Sequence, residues 1–141
     1  MINELTEQEI EELLYENVWG HLGCNDSHNN YVYPSNYIYD GKHIICHSQQ
    51  GSKIHAMREN KRVCFQVDKV KDHNNWKSVM VHGAYEEINN EGEYTDSVKA
   101  FADRQMFLKI SDNEQGLNPN NHKAIIYRIV IDDKKGFYEM D

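Results

Sequence analysis

No stretch of the 141-residue chain approaches the roughly 18 consecutive apolar residues of a membrane-spanning helix. No basic-then-apolar leader precedes the first helical pattern, so the expectation is a cytoplasmic protein that makes no use of a membrane. Cysteine is scarce. Cys24, Cys46 and Cys64 are an odd number and form no CxxC pair, which argues against a disulfide framework or a structural zinc. Bases are outnumbered, 15 Lys and Arg against 23 Asp and Glu, for a net charge of −8, and the densest basic patch is RENKR at 58–62. Nucleic-acid binding requires a basic face to neutralise phosphates, and this composition excludes a broad one. An anionic small ligand stays open, because a local pocket can be positive on an acidic protein. Two missing motifs narrow the chemistry further. Without G-x-G-x-x-G or a P-loop, dinucleotide folds and NTPases drop out, and without G-x-S-x-G serine hydrolysis has no support.

What is present suffices for one domain, 1–141, with a real core: 39% of residues are hydrophobic and 11% aromatic. Thr6 and Glu9 make a T-x-x-E capping box, and Ile10, Leu13, Leu14 and Val18 follow at helical spacing, predicting an amphipathic helix over 6–17. Strands are predicted at 18–24, 31–39, 42–47, 62–68, 76–88 and 124–133. A short helix is predicted from the GSK at 51–53 to about Glu59, and a longer one over 91–110 with Leu108 on its apolar face. DGK at 40–42 is a hairpin turn signal, KVKDHNN at 69–75 reads as a connection, and a loop containing Gly, Asn and Pro leads to the last strand. Pro34 places its strand at an edge or a bulge, and Gly83 inside a long strand indicates a bulge or a close approach. The last strand is apolar on both faces, as a central or interfacial strand would be. The predicted class is mainly β: a small, six-stranded antiparallel barrel with helices inserted singly between strands.

Several segments could carry chemistry. His43, Cys46 and His47 approach a metal-ligand spacing, but in a strand the two histidines share a face and Cys46 points to the other. Buried, reduced thiols are the simpler reading, and no metal site is assigned. In HSQQGSK (47–53), Lys53 falls in the first turn of a predicted helix. The dipole there disfavours a cation by a few tenths of a kcal/mol up to roughly 1. One explanation is a polar loop with Ser48 as the helix N-cap and Gly51 for the turn. The other is a phosphate site built from N–H groups, the hydroxyls of Ser48 or Ser52 and the ammonium of Lys53. WKS at 76–78 is either a strand start, with Trp76 in the core and Lys77 in solvent, or a place where Ser78 reaches a ligand and Trp76 lies against an aromatic ring. YVYPSNY at 31–37 is either an edge strand with exposed tyrosines or a strand whose free backbone groups around Pro34 contact a planar heterocycle.

In order, the first helix, YVYPSNYIYDGKHIICHSQQGSK, NKRVCFQVD and WKSVMVHGAYEEI resemble the flavin-binding split-barrel family related to pyridoxamine 5′-phosphate oxidase, across residues 5–132. Y-V-x-P-x-x-Y, H-S-x-x-G-x-K and V-C-F-x-V-D are its most specific parts, and within the family the likeness is to the nitroimidazole-resistance branch. The resemblance implies a six-stranded split barrel, a homodimer, and FMN in a cleft at the dimer interface. Carried over residue by residue, it implies that strand 32–37, with Tyr33 and Tyr37, lines the isoalloxazine, with backbone near Pro34 and Ser35 at its polar edge. His47 and Ser48 would contact the cofactor, Ser52 and Lys53 would bind its phosphate, and Trp76, Lys77 and Ser78 would reach it from the long strand. The oxidase proper carries Arg-x-x-x-Leu-Lys where this chain has Val32–Tyr37, and a C-terminal Trp and Arg where this chain ends GFYEMD. The resemblance therefore implies the cofactor and not that enzyme's substrate.

The expected function is an FMN-dependent oxidoreductase of a small planar substrate, with nitroaromatics among the candidates and a nicotinamide as a candidate donor. The alternatives are a non-catalytic FMN carrier and a haem-binding relative drawing on the eight histidines. No catalytic side chain is assigned, because a flavin carries the redox chemistry itself.

Overall fold

The computed structural model describes residues 1–104 and 124–141. In chain order the elements are β1 (Asn3–Glu4), α1 (Glu7–Glu16), β2 (Trp19–Asn25), β3 (Asn30–Asn36), β4 (Ile38–Tyr39), β5 (His43–Ser48), α2 (Ser52–Glu59), β6 (Arg62–Asp72), β7 (Asn75–Glu87), α3 (Glu91–Asp103) and β8 (Ile125–Glu139). The capping box forms as its spacing demands. Thr6 Oγ accepts from Glu9 N–H at 3.1 Å and Glu9 Oε1 accepts from Thr6 N–H at 2.9 Å. Ile10, Leu13 and Leu14 then enter the core. Burying each is worth about 1.5–3 kcal/mol, so packing outweighs the cap in fixing α1.

All strand pairs are antiparallel, in the order β3-β2-β6-β7-β8-β5-β4, with β1 alongside β8. The two ends of that order, β3 and β4, are separated in sequence by Tyr37 alone. A sheet whose edges meet within one residue has to curl back on itself, and this one is a half-barrel split along that seam. Tyr37 holds the seam. It is fully buried, its N–H donates to Val18 O at 3.0 Å, its hydroxyl donates to Leu14 O at 2.6 Å, and its ring meets Phe65 edge-on at 5.2 Å.

The six longer strands are the six the sequence predicts, and each helix stands between two strands. Pro34 sits in β3, which pairs only with β2 among the described residues, so its missing N–H costs the ladder nothing. At the DGK turn Gly41 has φ 93°, the left-handed region that favours glycine. Opposite His82 and Gly83 the β7–β8 register slips by one, leaving Asp132 as the extra residue of a bulge.

Three expectations need correction. The segment 69–75 is no simple connection: β6 runs on to Asp72 and meets β7 through a turn at His73–Asn74, whose Asp72 carboxylate accepts from Asn74 N–H at 2.9 Å. Likewise β8 continues six residues past Asp133. Much of both extensions lies outside the core, so no apolar alternation marks them; backbone pairing carries their ladders, with side-chain contacts such as Trp76 Nε1 to Glu139 added in β8. Finally, Ser48 does not cap a helix. It ends β5, and its hydroxyl donates to Gln49 O at 2.8 Å. The end of the predicted third helix, including Leu108, and the predicted loop after it lie outside the described residues. Among the described residues no helix is long and apolar enough to cross a membrane.

The thiols divide by face. Cys24 and Cys46 point inward, and burial pushes the Cys46 thiol up to about 11 and raises that of Cys24. Cys64, on the outer face of β6 over Gly23, is partly exposed. A thiolate-dependent disulfide reagent is therefore expected to titrate one thiol promptly in the folded protein, and that fast phase should vanish in Cys64→Ser. Three equally fast thiols would contradict this burial.

Candidate functional site

Helix α2 begins without a side-chain cap, because its N-cap is Gly51. The N–H groups of its first turn thus lack the acceptor that serine or aspartate would supply. A Cβ placed on Gly51 would meet nothing within 4 Å, so the helix end is open to approach. Lys53, in that first turn, is half-buried rather than splayed into water, and its Nζ stands 5.2 Å from the centre of the Tyr33 ring. Lysine and helix end together make one positive locus on an acidic protein.

This locus forms one side of a cleft of about 310 Å³. The tail of β3 supplies Pro34, Ser35 and Asn36, the end of β5 supplies His47 and Ser48, and Gln49, Lys53 and Trp19 complete the lining. Antiparallel pairing explains the assembly. β3 stands at one end of the strand order and β5 next to the other end, and the curl of the sheet brings them to the same seam. Among the described residues β3, as a terminal strand, also keeps one edge of its backbone free of ladder partners.

Two buried polar atoms in this lining have no hydrogen-bond partner among the described residues: His47 Nε2 and Asn36 Oδ1. Such atoms are rare in finished interiors, and two of the three among the described residues belong to the lining of this cleft, the third being the Tyr127 hydroxyl. The His47 ring also packs edge-on against Phe101 of α3 at 4.9 Å. Burial, followed by the nearby Lys53 charge, holds its pKa below the ordinary histidine value, so the imidazole is neutral near pH 7.

The sign of the resulting pH effect follows directly. The unfolded chain takes up a proton at His47 first as the pH falls, so stability is full above the ordinary value of about 6.5 and declines below it. Urea midpoints compared at about pH 7.5 and about pH 5.5 should drop less in His47→Phe than in the parent chain. Equal drops would remove His47 from the acid response.

Of the residues predicted for a ligand, Pro34, Ser35, His47, Ser48 and Lys53 come together here. Others do not. The Tyr33 side chain turns inward under Lys53, and Tyr37 is in the core, so neither ring lines the cleft. Ser52 is the exposed first residue of α2. Trp76, Lys77 and Ser78 lie at the start of β7, separated from β3 in the sheet order by β2 and β6. There Trp76 Nε1 donates to Glu139 at 3.1 Å and Ser78 Oγ accepts from Gln66 Nε2 at 3.3 Å. Sequence reasoning missed Trp19 and Asn36, which face each other directly across the β2–β3 ladder. Only the strand register reveals that pairing.

A sequence model of the family described as pyridoxamine 5′-phosphate oxidase matches residues 6–136. The chain superposes on an FAD-binding protein of Mesorhizobium loti with a TM-score of 0.79 and 27% identity, covering 98% of each chain. A Bacteroides thetaiotaomicron protein, whose name provisionally assigns it to 5-nitroimidazole antibiotic resistance, gives a TM-score of 0.75 at 21% identity over 98% of this chain and 87% of that one. At that identity the likeness concerns the fold. An uncharacterised protein of Rhizobium meliloti is 36% identical over 67 residues, 48% of this chain, and the match spans 44% of that relative's length.

Proposed function

The chain belongs to the pyridoxamine 5′-phosphate oxidase family, and on that premise we propose that it is a flavoprotein binding FMN in the Lys53 cleft. The observation that carries this reading is the convergence on one cleft of an uncapped helix end, a half-buried lysine and two unpartnered buried polar atoms. A phosphorylated planar heterocycle fits that set. Its phosphate suits the α2 N-terminus and Lys53, and its ring edge suits the free backbone of β3 around Pro34 and Ser35. His47, held neutral, can present Nε2 to the ring as donor or acceptor according to its tautomer. The likeness to an FAD-binding protein supports a flavin; the phosphate locus suits either flavin, and the preference for FMN follows the sequence resemblance.

A bound flavin supplies the electron transfer, so the chain's own task is to position it, hold its anionic end and limit water. The substrate class we assign is small and planar, nitroimidazoles included, with a reduced nicotinamide as donor and the cytoplasm as the compartment. We also propose a homodimer with the site at its interface. A volume of about 310 Å³ is at the small end of ligand pockets, about 300–1,000 Å³. Trp76, Lys77 and Ser78 stand outside it, which is how half of a shared site would look. The direct test is the visible spectrum of the purified protein together with its mass in solution. A two-band flavin spectrum and a dimer mass are expected; a colourless protein that takes up no FMN on titration would overturn the reading.

A further inference from the structure

Trp19 is the one cleft residue whose exposure runs against its chemistry. An indole is among the side chains most stabilised by burial, yet Trp19 is 58% exposed. The strand leaves it no choice of face. Gly20, Leu22 and Cys24 alternate inward along β2, so Trp19 and His21 point out. Turning Trp19 under the sheet would require the space beneath Gly20, and even a Cβ there would lie 2.2 Å from the Phe65 ring. Phe65 fills that volume already.

The exposed indole is also placed. It stands directly opposite Asn36 in the β2–β3 register and shares the cleft with Pro34, His47 and Lys53. Its N–H has no hydrogen-bond partner among the described residues, in contrast to Trp76, whose N–H is tied to Glu139. A rigid aromatic face, free of its own commitments, therefore flanks the opening of the cleft, while the groups suited to a phosphate and a ring edge lie on α2, β3 and β5.

Resting on the flavin reading above, we propose that Trp19 is the specificity-determining platform of this site. It selects planar aromatic electron acceptors by stacking them at the cleft mouth. Offset stacking on an indole rewards flat π-systems and gives nothing to a compact octahedral complex. The discrimination should therefore depend on acceptor shape and not on its potential.

The test uses the full chain loaded with FMN, as wild type, W19A and W19F. Each is chemically reduced and then reoxidised by a naphthoquinone or, separately, by ferricyanide. W19A is expected to lose roughly threefold to tenfold in kcat/KM for the quinone, the range an aromatic pair supplies, with ferricyanide unchanged and W19F retaining most of the quinone rate. A second readout needs no turnover. Quinone binding to the oxidised, loaded protein should quench tryptophan emission saturably, and that component should be missing in W19F, where Trp76 alone emits. Equal quinone rates in W19A and wild type overturn the inference and leave flavin binding standing. Reduced FMN affinity in W19A with unchanged acceptor selectivity assigns Trp19 to the cofactor and overturns it as well. A wild-type chain that takes up no flavin overturns both readings.

Discussion

Lys53→Ala is expected to weaken FMN binding roughly tenfold to a hundredfold, the effect of deleting one charge-assisted contact worth about 1.5–3 kcal/mol. The same substitution should leave the cofactor-free protein as stable as before or slightly more so. Lys53 lies in the first turn of α2, where the helix dipole opposes a cation by some tenths of a kcal/mol, and alanine removes that conflict. Among the described residues its Nζ makes no ion pair, and it stands 5.2 Å from the centre of the Tyr33 ring. Loss of affinity with retained stability is thus the signature of a residue kept for its ligand. Fluorescence titration of free FMN gives the first quantity and thermal unfolding the second. Unchanged affinity would detach the phosphate from α2, and a large stability loss would make Lys53 structural.

The largest effect on stability is expected at Gly83. A Cβ there would sit 2.2 Å from Val130 O and 3.0 Å from Val130 C, both main-chain atoms of the neighbouring strand. No side-chain rotation relieves that contact, so β7 and β8 must part beside the bulge at Asp132. Gly83→Ala should cost about 3 kcal/mol or more, at the upper end of overpacking effects. For a chain of this length that lowers Tm by about 6–12 °C. Gly51→Ala is the control: nothing lies within 4 Å of the added carbon, so its cost should be only the loss of a glycine N-cap, about 1 kcal/mol. Equal Tm values for the two variants would contradict the packing described at Gly83.

The readable parts of the fold were those where a local rule and the core agree. Thr6 and Glu9 mark α1 because a cap is chemistry between near neighbours, and Leu22, Phe65 and Val81 mark their strands because alternate residues meet one interior. Past that interior the signal fades. Lys69–Asp72 and much of the outer half of β8 carry no apolar alternation; their register rests on backbone hydrogen bonding and on side-chain contacts between distant residues, such as Trp76 with Glu139, that no local pattern announces. The site divides along the same line. Lys53 stood out as an electrostatic conflict inside seven residues, whereas Trp19 and Asn36 are neighbours only through a register between two strands. Tyr33 lies in the site's strand and Tyr37 just past its end, but both side chains turn inward and leave the cleft to their neighbours.

The place of β8 in the sheet bears on how the protein is made. His47 and Ser48 are held in the ladder by Ile126 and Ile125. These partners arrive roughly 80 residues later in synthesis, a separation typical of slow, non-local folding. At about 5–20 residues per second a ribosome needs several seconds to cover that distance. During this interval β5 and the start of α2 exist without the strand that positions them. The emerging chain should therefore be blind to FMN until its final strand is free, and cofactor capture would report completion of the barrel.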